Sequence, residues 1–179
     1  FHAITGCDTV SQFAGISKKV AWKVFIEAPQ LLCHLGVAHQ LGEQTLLQAE
    51  EFVCKLYEPT NSTKSIQTLR CSQFRKGKRR LENLPPTEDA LHLHIKRAHY
   101  QALIWRNAMV PNPKLPSPMT SGWHMVDNKL LPLLMTKEGL SAECVAVTTC
   151  GCTQTGRRCQ TAQCMCNRSK LRCTGACRC

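Results

Sequence analysis

Apolar residues recur at helical spacing in several stretches of the chain, and this periodicity predicts a mainly α fold. The clearest pattern covers residues 43–57, where apolar side chains stand at nearly every third or fourth position and polar side chains fill the gaps. Such a pattern is typical of a helix that buries one face against a core. Residues 43–57 are therefore predicted to form an amphipathic helix.

Weaker patterns on both sides of this helix predict further short helices. Residues 1–28 form an apolar stretch that Gly15 interrupts, and we expect a helix, a turn and a second helix there. Residues 30–41 and 63–75 are each predicted to form one more short helix. Together these elements would make a small helical domain.

A longer helix is predicted to begin after the Pro85-Pro86 pair. Thr87 is a suitable N-cap residue, and the acidic Glu88 and Asp89 that follow favour the positive end of the helix dipole. The apolar side chains of this helix then recur on one face. They are Leu91, Ile95, Ala98, Ala102 and Trp105.

Three histidines lie on or near the opposite face of this helix, at His92, His94 and His99. Two ligands on one helix bind the same metal ion when they are three or four residues apart, and none of these histidine pairs has that spacing. We therefore expect the three histidines to be exposed and to have no metal-binding role.

A proline-rich stretch follows this helix. Residues 110–118 contain four prolines in nine residues, which excludes a regular helix. Because the residues after it have little polar character, we expect an irregular strap that packs back on the helices, with Trp123 as an anchor. The alternative is that Trp123 and the strap are exposed and bind a protein partner.

The last thirty residues contain eight of the chain's thirteen cysteines and almost no apolar side chains. Such a segment cannot bury a core, so covalent or coordinate bonds must fold it. The cysteines follow the spacing C-x-C-x6-C-x4-C-x-C-x6-C-x3-C-x-C. They are Cys150, Cys152, Cys159, Cys164, Cys166, Cys173, Cys177 and Cys179.

Zinc coordination and disulfide bonds are the two ways to fold this tail. Zinc prefers four-sulfur tetrahedral sites, and we expect two or three ions here; three ions would need some sulfurs to bridge two ions. The tail has basic side chains, including Arg157 and Arg158, and no acid, so its charge offsets the anionic sulfurs. Small secreted proteins with disulfide frameworks have similar cysteine density, and this is the alternative.

The cysteine spacing resembles that of the tesmin-type CXC domain. The resemblance implies a cluster of three zinc ions bound by nine cysteines, and members of this family often contact DNA. The ninth family cysteine would fall just past Cys179, so Cys144 is the candidate substitute. Members that bind DNA have a tyrosine where this chain has Gln163.

The formal net charge of +11 favours an acidic partner, and much of it is clustered. Residues 75–80 form the densest basic segment, which is typical of a nuclear-import signal or a phosphate-binding patch. No apolar run approaches the roughly 18–20 residues that span a bilayer, so no membrane partner is expected. The candidate nucleic-acid contacts are Lys18, Lys19, Arg75, Lys76, Lys78, Arg79, Arg80, Arg157 and Arg158.

The N-terminal segment resembles the helix–two-turn–helix region of flap-endonuclease-like (PIN-like) nucleases. The resemblance implies that Asp8 is one of several Mg²⁺ ligands and that Gly15, Lys18 and Lys19 form a turn that binds a DNA phosphate, with Ser17 replacing a second family glycine. Two-metal cleavage needs several carboxylates, and Asp8 alone cannot hold the ions. A nuclease would therefore need carboxylates upstream of Phe1, and this chain alone is not expected to be catalytic.

Four motifs together resemble those of a group of uncharacterised animal proteins that are candidates for mobile-element origin, and they span nearly the whole chain. They are His2–Asp8, Pro85–Thr87, Pro113–Trp123 and Cys150–Cys179. We accordingly expect the C-terminal part of a larger nuclear protein, with a helical domain at 1–136, a linker at 137–149 and a zinc tail at 150–179. The first hypothesis is a zinc-binding module that contacts nucleic acid, with DNA as the expected partner. The alternatives are part of a Mg²⁺-dependent nuclease and a non-catalytic protein-interaction scaffold.

Overall fold

The structure is a computed structural model, and the fold is mainly helical, as the periodicity predicts. Its described residues group into two compact units, one of Phe1–Leu69 with Pro85–Thr136 and one of Arg70–Leu84 with Lys137–Cys179. We call them the helical unit and the cysteine unit. The structure describes residues 1–60, 62–77, 79–137, 150, 152, 159, 164–168, 173 and 177.

Five α-helices and one two-stranded antiparallel sheet make up the regular structure of the described residues. Short 3-10 turns occur at Pro29–Leu31, Leu81–Asn83 and Pro118–Ser121. The α-helices and strands are α1 (Lys18–Glu27), α2 (Glu43–Tyr57), α3 (Ile66–Lys76), α4 (Glu88–Arg106), α5 (Met165–Arg168), β1 (Trp123–Val126) and β2 (Lys129–Pro132).

Helix α2 confirms the prediction for residues 43–57 and supplies much of the core of the helical unit. Its Ala49, Phe52, Val53 and Leu56 are buried at the spacing that the sequence pattern indicates. Burial of one helix face removes apolar area from water, which is the main stabilising contribution available to such a small unit. Helix α3 also forms close to its predicted position.

Side-chain caps fix where α1 and α4 begin. The Oγ atom of Ser17 accepts a hydrogen bond from the backbone N–H of Val20 at 3.3 Å. The Oγ1 atom of Thr87 accepts one from the N–H of Ala90 at 3.4 Å. Each bond satisfies one of the N–H groups that a helix start leaves without a partner inside the helix. The cap at Thr87 confirms the sequence prediction.

The helix predicted before Gly15 does not form, and this part of the prediction is wrong. The chain instead makes turns, in which Gly6 has a φ of +107° and the N–H of Cys7 donates to the carbonyl of Val10 at 2.8 Å. That φ lies in a region that glycine adopts without strain. These turns bury Ile4 and Val10. The apolar residues before Gly15 are therefore buried in a non-helical segment.

The helix predicted for residues 30–41 is also wrong in part, because only a 3-10 turn followed by irregular turns forms there. Gly36 has a φ of +75°, and a side chain on it would lie 2.9 Å from the carbonyl carbon of Ala102 on α4. The segment therefore needs a glycine where its backbone approaches α4. Its apolar residues Leu32 and Leu35 are still buried in the core.

Two of the three histidines of α4 are buried, which corrects the prediction that all are exposed. His94 Nε2 lies 2.9 Å from the carbonyl oxygen of Ile4. His99 accepts the N–H of Gly36 at Nδ1 (3.0 Å) and bonds the carbonyl of Ala38 through Nε2 (2.8 Å). Because other segments cover these faces, α4 is buried on more than the one face that amphipathic periodicity assumes.

Residues 107–117 form the irregular segment that the prolines predict, but a hairpin that was not predicted follows it. Strands β1 and β2 pair antiparallel from Trp123 opposite Pro132 to Val126 opposite Lys129. The two turn residues, Asp127 and Asn128, both have positive φ, as a tight hairpin turn requires.

A buried arginine attaches the hairpin to α4. The Nη1 atom of Arg97 donates to the carbonyl oxygens of Gly122 (3.1 Å) and Leu133 (2.5 Å), the residues that bracket the hairpin. Gly122 has a φ of +83°, and a side chain there would lie 2.8 Å from the carbonyl oxygen of Leu93. The hairpin can therefore lie close to α4 only because residue 122 is a glycine and because Arg97 donates these hydrogen bonds.

None of the described helices is long and apolar enough to span a bilayer. The predicted linker at 137–149 lies outside the described residues except for Lys137. The segment Arg70–Leu84 groups with the cysteine-rich segment, although the predicted helical domain spans it. The boundaries from the sequence stay predictions.

Candidate metal centre

Six cysteines of the cysteine unit form two overlapping groups of four sulfurs. One group is Cys150, Cys159, Cys164 and Cys173, and the other is Cys150, Cys166, Cys173 and Cys177. Within each group all the Sγ atoms lie within 4.8 Å of one another. Cys150 and Cys173 belong to both groups.

The sulfur–sulfur distances fit metal coordination. The Sγ atom of Cys150 lies 3.6 Å from those of Cys159 and Cys173, and the Cys164–Cys173 distance is 4.0 Å. A tetrahedral ion with Zn–S bonds of about 2.3 Å would set its sulfurs roughly 3.8 Å apart. A disulfide would bring two sulfurs to about 2 Å, which is well below these distances. The cluster geometry is therefore compatible with zinc binding.

Hydrogen bonding prepares Cys164 as a thiolate ligand, although burial acts in the opposite direction. It precedes the short helix α5, and the backbone N–H of Asn167 points at its Sγ atom at 3.5 Å. This N–H bond, with help from the neighbouring thiols, lowers the pKa of Cys164 to about 6. Metals bind the thiolate form of cysteine, so this group is already in the binding form at neutral pH.

Cys152 lies beside the two groups, within hydrogen-bonding reach of Cys150, Cys159 and Cys164. Seven of the predicted ligands therefore come together in the described part of the tail. Two more, Cys144 and Cys179, lie outside the described residues, as do Arg157 and Arg158. Their predicted roles stay predictions.

The basic segment predicted to bind phosphate lies at the end of α3 and just after it. Arg75, Lys76 and Arg80 are exposed, and Arg79 is half-buried. Arg80 lies 3.9 Å from the carboxylate of Glu82, a contact between two exposed side chains. All four basic residues belong to the cysteine unit. Lys78 lies outside the described residues.

The N-terminal candidates do not gather around a metal site in the described part of the chain. Asp8 is exposed, and no described group of three or more metal-ligating side chains includes it. Lys18 and Lys19 are both exposed, and Lys18 donates from Nζ to the carbonyl oxygen of Gly6 at 2.5 Å and also contacts His2. The predicted Mg²⁺ and phosphate roles of these residues stay predictions.

The helical unit brings together one group of ligand-type side chains that the sequence analysis missed. Glu50 of α2 and Glu88 and His92 of α4 each place one ligand atom within 4.8 Å of the other two. Glu88 and His92 have the i, i+4 spacing that puts both on one helix face, and this signal was available in the sequence. Only the packing of α2 on α4 reveals Glu50 as the third member.

Comparison of the chain with family models, curated proteins and solved structures finds no match. The resemblances to the CXC domain and to PIN-like nucleases therefore depend on the motifs of this sequence alone.

Proposed function

We propose that the C-terminal part of this chain is a zinc-thiolate module of a larger nuclear protein that contacts DNA. The observation that carries the proposal is that Cys150 and Cys173 belong to two four-sulfur groups at once. Sulfurs in such positions can bridge two zinc ions, which is the arrangement that the CXC spacing implies.

The described sulfurs support at least two zinc ions in this module. A third ion, as in the CXC domain, would use Cys152 with further ligands among Cys144 and Cys179. Structural zinc sites in small peptides contribute roughly 10–16 kcal/mol of apparent binding energy, which a segment without an apolar core needs in order to fold. The zinc ions would therefore hold this tail in its folded form.

The proposal of DNA contact is supported by positively charged side chains that lie in the same unit as the cysteines. Arg75, Lys76 and Arg80 are exposed there, and the tail adds further arginines without any acid. Such side chains neutralise phosphates and release counterions, so they supply affinity without sequence preference. The same basic segment would serve as the nuclear-import signal, and a fluorescent fusion without it should lose its nuclear accumulation.

The DNA proposal is tested by fluorescence anisotropy with a labelled duplex over a range of salt concentrations. The test variant replaces Arg75, Lys76 and Arg80 with serine. The control variant removes the same charge from the helical unit by replacing the exposed Lys23, Lys114 and Lys129 with serine. Both variants should keep their zinc.

The proposal expects weak binding to many sequences that falls steeply with salt. Loss of three phosphate contacts should reduce the slope of log K against log salt by about 2 to 3, because each contact contributes roughly 0.9. The control variant should keep the slope of the unmodified chain. Binding that does not depend on salt, or equal losses in the two variants, would contradict the phosphate-contact proposal.

A further inference from the structure

We propose that Glu50, Glu88 and His92 bind a single divalent cation between α2 and α4, at a site separate from the cysteine cluster. The three side chains offer two carboxylate oxygens and one imidazole nitrogen within 4.8 Å of one another. Carboxylate and imidazole ligands together suit Zn²⁺ or Mn²⁺. All three residues belong to the helical unit.

Glu50 is the residue that makes this group more than a surface cluster. It is only 3% exposed, although a carboxylate is costly to bury without partners. Its Oε1 atom accepts the backbone N–H of Ile66 at 2.8 Å, where α3 begins. This bond fixes the carboxylate and leaves Oε2 directed at His92 Nε2, 2.9 Å away. Ligands held in this way by an outer hydrogen bond are typical of metal sites.

The charge balance of the group also favours a divalent cation. Neither Glu50 nor Glu88 forms an ion pair with a lysine or arginine among the described residues, and the nearby Lys64 pairs with Glu51 at 3.1 Å. His92 supplies at most one positive charge, and only when protonated. Two carboxylates at close range repel each other. A divalent ion would neutralise both and would bind the neutral imidazole.

The helix geometry completes the argument. Glu88 and His92 lie one turn apart on the same face of α4 and are half-buried. Water can therefore reach the remaining coordination positions of an ion held there. Because Glu50 also binds the first residue of α3, the ion would connect α2 to α4 at the point where α3 starts.

Mn²⁺ is the probe for this site, since it prefers oxygen and nitrogen ligands to the thiolates of the cysteine cluster. The full chain, loaded with zinc only up to the capacity of the cysteine cluster, would be titrated with Mn²⁺, and the free ion measured by its electron paramagnetic resonance signal. The test variant is Glu88→Gln, which leaves the Glu50–Ile66 bond intact. The matched control is Glu43→Gln, because Glu43 is likewise the first residue of a helix and is exposed.

We expect one Mn²⁺ to bind the unmodified chain and Glu43→Gln with the same affinity. Glu88→Gln should weaken binding by more than about tenfold, because even outer-shell partners contribute that much at metal sites. The pulsed spectrum of bound Mn²⁺ should show nitrogen coupling that disappears in His92→Gln. No specific Mn²⁺ binding, or equal affinity in Glu88→Gln, would overturn the site and leave Glu50 and His92 as an ordinary ion pair.

Discussion

The Sγ atoms of Cys150 and Cys173 lie 3.6 Å apart, and each belongs to both four-sulfur groups of the cysteine unit. A sulfur that serves two ions connects them, so its loss removes a ligand from each. The other four cysteines of the two groups serve one group each. The cysteines of this cluster should therefore differ in how much zinc their replacement releases.

Replacement of Cys173 by serine should lower the zinc content more than replacement of Cys159. The first change removes a ligand from both groups, whereas the second leaves the group around Cys166 and Cys177 complete. Zinc per chain would be measured by atomic absorption after gel filtration. Cys33→Ser is the control, because Cys33 is exposed and lies in the helical unit. Equal zinc loss in the two cluster variants would contradict shared sulfurs.

Replacement of Arg97 by leucine should loosen the hairpin from α4. The change removes both hydrogen bonds from the guanidinium to the carbonyls of Gly122 and Leu133, at a cost of about 3 kcal/mol. Limited proteolysis should then cut residues 118–133 faster. Arg106→Leu, an exposed position on the same helix, is the control and should not change the cleavage rate.

Replacement of Gly36 by alanine should destabilise the helical unit by at least about 2 kcal/mol, because the positive φ strains any side chain and the new methyl group would meet Ala102. The free energy of unfolding would be measured in urea. Gly42→Ala is the control, since a side chain there meets nothing within 4 Å. It should change the stability by less than about 1 kcal/mol. Similar losses of stability in the two variants would show that the close contact of Gly36 with α4 does not require a glycine.

His94 predicts a pH dependence of stability. Burial lowers its pKa from 6.5 to about 4, with a smaller contribution from Arg97. Above pH 6.5 the imidazole is neutral in both states and contributes no penalty. Between pH 6.5 and about 4 the unfolded state binds a proton that the folded state does not, so the folded state loses up to roughly 3 kcal/mol.

Urea unfolding at pH 7 and pH 4.5 measures this effect for the unmodified chain and for His94→Gln, which has no group that titrates at this position. The variant should lose less stability on acidification. His124→Gln is the control, because His124 is exposed and should leave the pH dependence unchanged. If all three proteins lose the same stability between pH 7 and pH 4.5, the loss comes from titratable groups other than His94, such as the cysteine ligands.

Periodicity and capping were sufficient to predict α2, α3 and α4, because each buries an apolar stripe or starts at a capping residue. The same reasoning was wrong for residues 1–14 and 30–41, where apolar residues are buried by turns that glycines allow. It was also wrong for His94 and His99, since only the packed structure shows which segments cover α4. The hairpin was missed, although the turn residues Asp127 and Asn128 tolerate positive φ.

The sequence predicted the residues of the candidate metal centre more completely than the elements of the fold. The reason is that metal binding by thiols depends more on cysteine spacing than on packing. The spacing alone predicted the seven cysteines that the described tail brings together. It could not predict that Cys150 and Cys173 are shared, because sharing depends on how the tail folds. The Glu50 site depends on contact between two helices and needed the structure.

Native mass spectrometry of the chain, purified without reducing agent, tests the central claim most directly. The account predicts at least two zinc ions per chain and, once the zinc is removed, the protein mass expected when every cysteine is reduced. A double variant with Cys164→Ser and Cys166→Ser should lose the ions. A chain without metal, whose mass is lower by two hydrogens for each disulfide, would contradict the zinc-thiolate module.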